Sequence, residues 1–379
     1  MCGLYIHIPF CISRCIYCDF YSTTRTEEIS HYIDCICMEL IKRSANKISS
    51  HTPIEISSIY LGGGTPSQIP VSLLNKVFSH IYKYYSIDDN AEITIECNPE
   101  DINSTYLHAL SSTPINRISF GIQSFDNDRL SFLHRRHNSE QSERSIKLSQ
   151  DYGYTNISID LMYGFPNESL ESWEKDVKKA LELDVQHISA YSLSYEEGTI
   201  LTKMLQNGQI KALSDEICSK MYYHLITTLE SFGFEQYEIS NFAKPGFHSK
   251  HNSNYWKGIP YIGIGPGAHS YDGKFRSWNI SCLDKYMKSI ENGKESIEKE
   301  ELSETDKYNE YIMTRLRTKN GINLEEINTL FNKSFIKYLN KTIKKHIALS
   351  NLSINNNNIF INKNRLFISD SIISDMFKV

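Results

Sequence analysis

Up to Phe232 the chain is built from six short apolar or β-branched runs, each followed by a longer amphipathic stretch. Few folds accommodate that rhythm. The runs are Leu4–Ile8, Ser58–Leu61, Ala91–Glu96, Arg117–Gly121, Asn156–Leu161 and His187–Ser192. Helical patterns follow them at about Glu27–Lys42, Pro70–Tyr85, Ser104–Ser111, Asp126–Gln150, Ser169–Leu183 and Ser214–Phe232. Pro70 suits an early helix turn, and Gly153 and Gly233 suit helix ends. Strand and helix alternating in this way predict a parallel sheet with right-handed crossovers. Six units predict an α/β fold, a partial (β/α)6 barrel that stays open instead of closing on eight strands. Sites in such sheets gather at the C-terminal strand ends.

The pattern changes after the sixth unit. From about Phe234 to Tyr271 the chain is rich in Gly, Pro, aromatics and His. It carries His251-Asn252-Ser253-Asn254-Tyr255-Trp256 and then Gly263-Ile264-Gly265-Pro266-Gly267-Ala268-His269-Ser270-Tyr271. Past Leu302 it turns helical, at Lys307–Thr318 and Leu324–Leu330. The Asn/Ile-rich tail is expected to form a hairpin of Ile359–Ile361 with Leu366–Ile368, and Asn355–Asn358 a turn. The expected organisation is a barrel over 1–235, an extension over 236–300 packed on it, and a small helical C-terminal domain over 301–379.

A net charge of −5 argues against nucleic acid as a bulk electrostatic partner. No apolar stretch reaches the roughly eighteen residues of a membrane span. Nine cysteines without a signal-like segment before them point to a reducing compartment, and the expected location is the cytoplasm.

Cys11, Cys15 and Cys18 form a C-x3-C-x2-C run directly after the first strand. Three thiolates on one loop can hold three irons of a [4Fe–4S] cluster. Such clusters normally take four cysteines, so the fourth iron is left open to a small molecule. Zinc uses the same donors but prefers two C-x2-C pairs, and no second pair follows. Cys15 and Cys18 alone have redox-motif spacing, to which Cys11 is surplus. Cys2, Cys35, Cys37, Cys97, Cys218 and Cys282 lack any ligand-like grouping and read as structural. The spacing of the three resembles the signature of the radical S-adenosylmethionine (SAM) superfamily, in which the amino and carboxylate groups of SAM chelate the open iron.

The other strand ends carry polar residues. Gly62-Gly63-Gly64-Thr65-Pro66 follows the second, Glu96 ends the third, and Gln123 follows the fourth. Asp160 ends the fifth, and Tyr191 and Ser192 the sixth. Gly-rich backbone lets a ligand approach closely. Glu96 can oppose an ammonium, Arg135 offers a planar fork for a carboxylate, and Gln123 and Asp160 suit ribose hydroxyls. For each a plainer role exists: a turn, a helix cap, or, for Arg135 beside Arg136 and His137, a solvated helix face.

Together these motifs resemble the oxygen-independent coproporphyrinogen III oxidase family of radical SAM proteins, and more closely its HemW branch of heme chaperones. The likeness runs from Tyr5 to about Tyr271 and more loosely to Gly321. It implies a partial radical SAM barrel with a helical C-terminal domain, and a cluster on Cys11, Cys15 and Cys18. It implies SAM on the open iron, touched by Tyr5, Gly63 and Glu96. Gly64, Thr65, Gln123, Arg135 and Asp160 match residues associated with a second SAM in the oxidase; the resemblance leaves open whether one SAM or two bind here. Two departures separate the chain from the oxidase. Phe20 stands where the oxidase pattern has a further cysteine, and the first strand begins near residue 4, without the oxidase's N-terminal extension. His251-Asn252-x-x-Tyr255-Trp256 is the mark of the HemW branch.

The function implied is binding heme and transferring it to an acceptor protein, expected to be a respiratory cytochrome enzyme, with no catalytic residue assigned. His251 is the candidate heme ligand, with Tyr255 and Trp256 as pocket wall. His7, His248 and Cys2 are rival ligands, and His251 can equally anchor its loop by hydrogen bonds. The alternative is the oxidase reaction itself, decarboxylation of coproporphyrinogen III to protoporphyrinogen IX. A radical SAM methyltransferase or a heme-degrading relative would share the barrel motifs.

Overall fold

The computed structural model describes residues 1–45, 53–294 and 297–379. Strands β1 (Cys2–Ile8), β2 (Glu55–Gly63), β3 (Ser86–Cys97), β4 (Arg117–Gln123), β5 (Ile157–Tyr163) and β6 (His187–Ser192) lie side by side in chain order. Every neighbouring pair is parallel. The period-2 geometry of a strand sorts their residues onto two faces. Ile59, Leu61, Ile93, Ile95, Ile118, Phe120, Ile122, Ile159 and Ile188 are buried under the helices. The alternate positions, among them Tyr60, Glu96, Arg117, Ser119, Asp160, His187, Ser189 and Tyr191, line an inner cavity. The fold is thus an apolar sheet-helix core wrapped around a polar lumen.

The next segment extends the same sheet at both edges. β7 (Glu235–Glu238) and β8 (Asn241–Ala243) add antiparallel strands beside β6. β9 (Tyr261–Ile264) pairs parallel with β1, and β10 (His269–Tyr271), β11 (Phe275–Asn279) and β12 (Ile297–Glu301) follow antiparallel. The resulting sheet has twelve strands, with β12 at one edge and β7 at the other, so it stays open as expected. A second core of Tyr308, Ile312, Leu339, Ile343 and Met376 lies among the helices Glu304–Leu316, Lys333–Ala348 and Ser369–Asp375. A three-stranded sheet of β13 (Ile322–Asn323), β14 (Leu352–Asn355) and β15 (Asn358–Ile361) packs with them.

Two local expectations are corrected. The hairpin pairs β14 with β15, because Asn356 and Asn357 take φ of 46° and 66° and make a two-residue turn. Leu366–Ile368 is the end of a 3-10 helix, Lys363–Ile368. The helix expected over Asp126–Gln150 is two helices, Asn127–Phe132 and Ser139–Asp151. His134 at φ 60° ends the first, with the Arg135 N–H donating to Leu130 O at 2.9 Å. Asn138 and Gln141 form a capping box that starts the second.

Candidate functional site

The expected cluster ligands and SAM contacts, together with the candidate heme ligand, line one cavity of about 680 Å³: Tyr5, Cys11, Cys15, Cys18, Gly63, Gly64, Thr65, Glu96, Gln123, Arg135, Asp160 and His251. The cysteine loop crosses its mouth. Main-chain bonds pin that loop: Cys11 N–H to Thr23 O at 2.9 Å and Thr23 N–H to Pro9 O at 2.7 Å. Ile16, 2% exposed, anchors it in an apolar cluster with Leu133, Met162, Phe165, Leu193 and Leu201. An apolar residue between ligand-type cysteines thereby fixes where the thiols point.

Two of the thiols are joined by a chain of polar side chains. Thr65 Oγ1 donates to Cys11 Sγ at 3.5 Å, and Asn98 Nδ2 donates to Thr65 Oγ1 at 3.3 Å. Arg135 Nη2 donates to Asn98 Oδ1 at 2.6 Å, and its Nη1 to Cys15 Sγ at 3.6 Å. Arg135 reaches them because the helix break aims it inward; its neighbours face elsewhere. Arg136 pairs with Glu100 and Asp101, and buried His137 bonds Ile122 O.

Burial pushes the Cys11 thiol up, and the Cys18 thiol up to about 11. Such thiols become thiolates only against added positive charge. One zinc ion with sulfurs at about 2.3 Å would hold them about 3.8 Å apart in a tetrahedron. Among the described residues, the only trio of Cys, His, Asp or Glu ligand atoms lying within 4.8 Å of one another is His31, Cys35 and Glu291. The three loop thiols therefore stand wider than a single ion requires. A donor set of three spread thiols on one loop fits a [4Fe–4S] cluster with one open iron; the fourth cysteine of the cavity lining, Cys97, is buried at the end of β3, off that loop.

Below the mouth, Glu96 accepts from Tyr60 Oη at 2.7 Å and from the Gly63 N–H at 3.0 Å. Gly63 sits at φ 117°, and a Cβ there would meet the His7 ring at 2.5 Å. Burial, reinforced by Asp160, raises the Glu96 carboxyl to about 7. Burial raises Asp160 to about 6. Two carboxyls poised near neutrality in an enclosed lumen are disposed to receive a cationic or hydroxyl-rich ligand. Gln123 holds a left-handed φ of 66° where the register of β4 slips against β5.

The histidines differ in what they leave free. His7 Nε2 lies 2.9 Å from Tyr21 O, which only accepts, so Nε2 carries the proton. Nδ1 then accepts from Tyr5 Oη at 3.0 Å. His251 is buried, with Nδ1 2.9 Å from Ser58 Oγ and Nε2 3.0 Å from Tyr255 Oη. Burial depresses it to about 3. Glu92 caps the helix Lys250–Trp256 by accepting the Lys250 and His251 N–H groups. His251 is thus engaged on both ring nitrogens, the loop-anchoring arrangement. His248 stacks on Tyr237 at 4.5 Å and lies outside the cavity lining. Cys2 is likewise buried away from it, its thiol raised to about 11. Tyr255 lines the cavity. Trp256 does not: Arg317 covers its ring at 5.5 Å and Arg315 bonds its carbonyl at 3.0 Å. Successive helix residues point about 100° apart, so only one of the pair can face the lumen.

Sequence reasoning missed Tyr60, Asn98 and Arg117. Arg117 is 2% exposed, and its buried Nε has no hydrogen-bond partner. Its charge draws Glu96 and Asp160 downward against their burial. The signal available was strand alternation, since Arg117, Ser119 and Gly121 occupy one face of β4.

The radical SAM superfamily profile matches residues 5–180, and the HemN C-terminal domain profile residues 302–364. The heme chaperone HemW of Lactococcus lactis is 34% identical over 344 residues, 90% of this chain and 88% of that protein. HemW of Bacillus subtilis is 36% identical over 292 residues, 76% of each chain. HemW of Escherichia coli is 32% identical over 83% of this chain and 82% of its own. The coproporphyrinogen III oxidase HemN from Escherichia coli, a radical SAM enzyme, superposes with a TM-score of 0.84. It covers 99% of this chain and 90% of its own at 20% identity, which establishes a shared fold. The matching profiles, and relatives that share a third of their residues along most of their length, agree: this chain belongs to the HemW family within the radical SAM superfamily.

Proposed function

We propose that this protein is a heme chaperone that carries a [4Fe–4S] cluster on Cys11, Cys15 and Cys18 and binds SAM and heme, passing the heme to an acceptor protein. The relatives named HemW support the chaperone reading. The observation that carries the cofactor part is the hydrogen-bonded chain from Cys11 through Thr65, Asn98 and Arg135 to Cys15. Charge-assisted donors on the sulfurs favour the thiolate form that iron requires. When bound, the cluster with SAM on its open iron would supply one-electron chemistry. Glu96 and the Gly63 backbone would receive the SAM amino group. Gln123 and Asp160 would hold ribose hydroxyls, and Tyr5, braced by His7, would pack against the ligand. Gly64, Thr65 and Arg135 line the same cavity and would be the contacts of a second SAM.

Among the described residues no helix is long and apolar enough to cross a membrane, and all nine cysteines are free. Both fit a reducing cytoplasm, with a respiratory cytochrome enzyme as acceptor. Phe20, 64% exposed at the cavity mouth, replaces the further cysteine of the oxidase pattern and supports transfer over decarboxylation.

The test mixes the hemin-loaded chain with an apo-cytochrome and follows the acceptor's Soret band. The proposal predicts transfer that depends on this chain. Transfer no faster than from free hemin would count against it. So would protoporphyrinogen formed from coproporphyrinogen under anaerobic reducing conditions with SAM.

A further inference from the structure

A second cavity, of about 750 Å³, adjoins the first and shares Tyr5, Arg14, Asp19, Phe20, Ser22 and Tyr255 with it. It runs between the cysteine loop and the turn that joins β9 to β10. Its volume falls in the range of small-molecule sites. Tyr5, Phe20, Tyr21, Tyr255 and Tyr261 give it aromatic wall, beside the polar Asp19, Ser22 and Ser281. A flat macrocycle needs such surface.

His269 opens onto this groove. The Gly-Ile-Gly-Pro-Gly turn puts it there: Gly265 has φ 100°, and a Cβ on it would meet Tyr32 Oη at 2.5 Å. His269 is paired with Trp278 across β10 and β11, and their rings stack at 5.7 Å and 26°. That contact orients the imidazole without using its nitrogens. No described residue hydrogen-bonds the ring. Burial, with help from Arg276, lowers its proton affinity, so the neutral ligand form prevails. The other histidine of the lining, His7, has both ring nitrogens engaged. Arg14, on the cysteine loop and exposed, lines the groove without an ion-pair partner among the described residues and is available to a propionate.

We infer that this aromatic groove is the heme site, with His269 as the axial ligand to iron and Arg14 facing a propionate. The inference rests on the heme-binding reading and names the residue it lacked. It sets the porphyrin against the cysteine loop, beside the SAM lumen and across the wall that the two cavities share.

The test is titration of the full chain with hemin, read by the Soret band and by EPR of the ferric complex. Wild type is expected to show a histidine-ligated ferric heme. His269→Ala should lose that signature and bind hemin about tenfold or more weakly, with added imidazole restoring the spectrum. His248→Ala, outside the groove, should match wild type. Tyr261→Ala should weaken binding without changing the ligation signature. A His269→Ala protein that keeps the wild-type spectrum and affinity overturns the inference and leaves the chaperone reading standing. Absence of any Soret change in wild type overturns both. Cluster reconstitution equal to wild type verifies that each variant is folded.

Discussion

Arg135 and Cys15 lie 120 residues apart in sequence, yet the guanidinium of one donates to the sulfur of the other at 3.6 Å. The contact exists because a helix is interrupted. His134 turns left-handed, and Arg135 is delivered from the break into the barrel mouth while Arg136 is turned toward Glu100. A positive charge held beside a cluster ligand stabilises the more negative, reduced state of whatever metal group the sulfur binds.

Arg135→Met should therefore lower the reduction potential of the reconstituted cluster, by on the order of 60 mV, the equivalent of tenfold for a one-electron couple. Arg135→Lys keeps the charge but loses the fork to Asn98 and Gly121, and should fall between the two. Potentiometric titration followed by EPR reads both. An unshifted potential in Arg135→Met would remove this arginine from the cluster environment.

Glu96 predicts how stability varies with acidity. Its ordinary value of 4.5 is raised to about 7 by burial. The folded chain thus holds a proton that the unfolded chain has already lost. Its contribution is complete below about pH 4.5 and disappears as pH rises through about 7. The integrated loss is on the order of 3 kcal/mol. In denaturant melts across that window, Glu96→Gln should show a shallower decline than wild type. Asp160, raised to about 6, leaves part of the slope behind. Superimposable pH profiles for the two proteins would mean that Glu96 does not titrate in this range.

His251 is predicted to matter to the fold through its bonds to Ser58 and Tyr255. His251→Ala leaves both hydroxyls without that partner and opens a cavity next to Gly3, whose added Cβ would lie 3.4 Å from the ring. The expected cost is about 2–4 kcal/mol. Urea unfolding measures it, and a cost below about 0.5 kcal/mol would show that the ring is not structurally committed.

Strand rhythm and strand-end chemistry made most of the barrel and its cavity legible. Glu96, Asp160 and Gln123 could be read as site residues because a parallel sheet puts every C-terminal strand end on one side. Arg117 could also have been read: it shares one strand face with Ser119 and Gly121, in a segment whose other face is Ile118, Phe120 and Ile122. The break at His134 was signalled by the Asn138-x-x-Gln141 capping box, which the helical periodicity on either side obscured. The C-terminal hairpin was misplaced because Asn356 and Asn357 favour left-handed turn geometry, a stronger cue than the apolar content of Leu366–Ile368. Contacts such as Asn98 to Thr65, or the separate directions of Tyr255 and Trp256, arise from tertiary packing and have no local signature.

The proposed chemistry requires three thiolates that leave one iron of a cubane free for SAM. Mössbauer spectroscopy of anaerobically reconstituted, iron-57-labelled protein, with and without SAM, tests it most directly. The expected result is a [4Fe–4S] spectrum in which one iron site alone changes its parameters when SAM is added, and no such cluster in Cys11→Ala, Cys15→Ala or Cys18→Ala. A mononuclear or two-iron spectrum, or a four-iron spectrum indifferent to SAM, would contradict it.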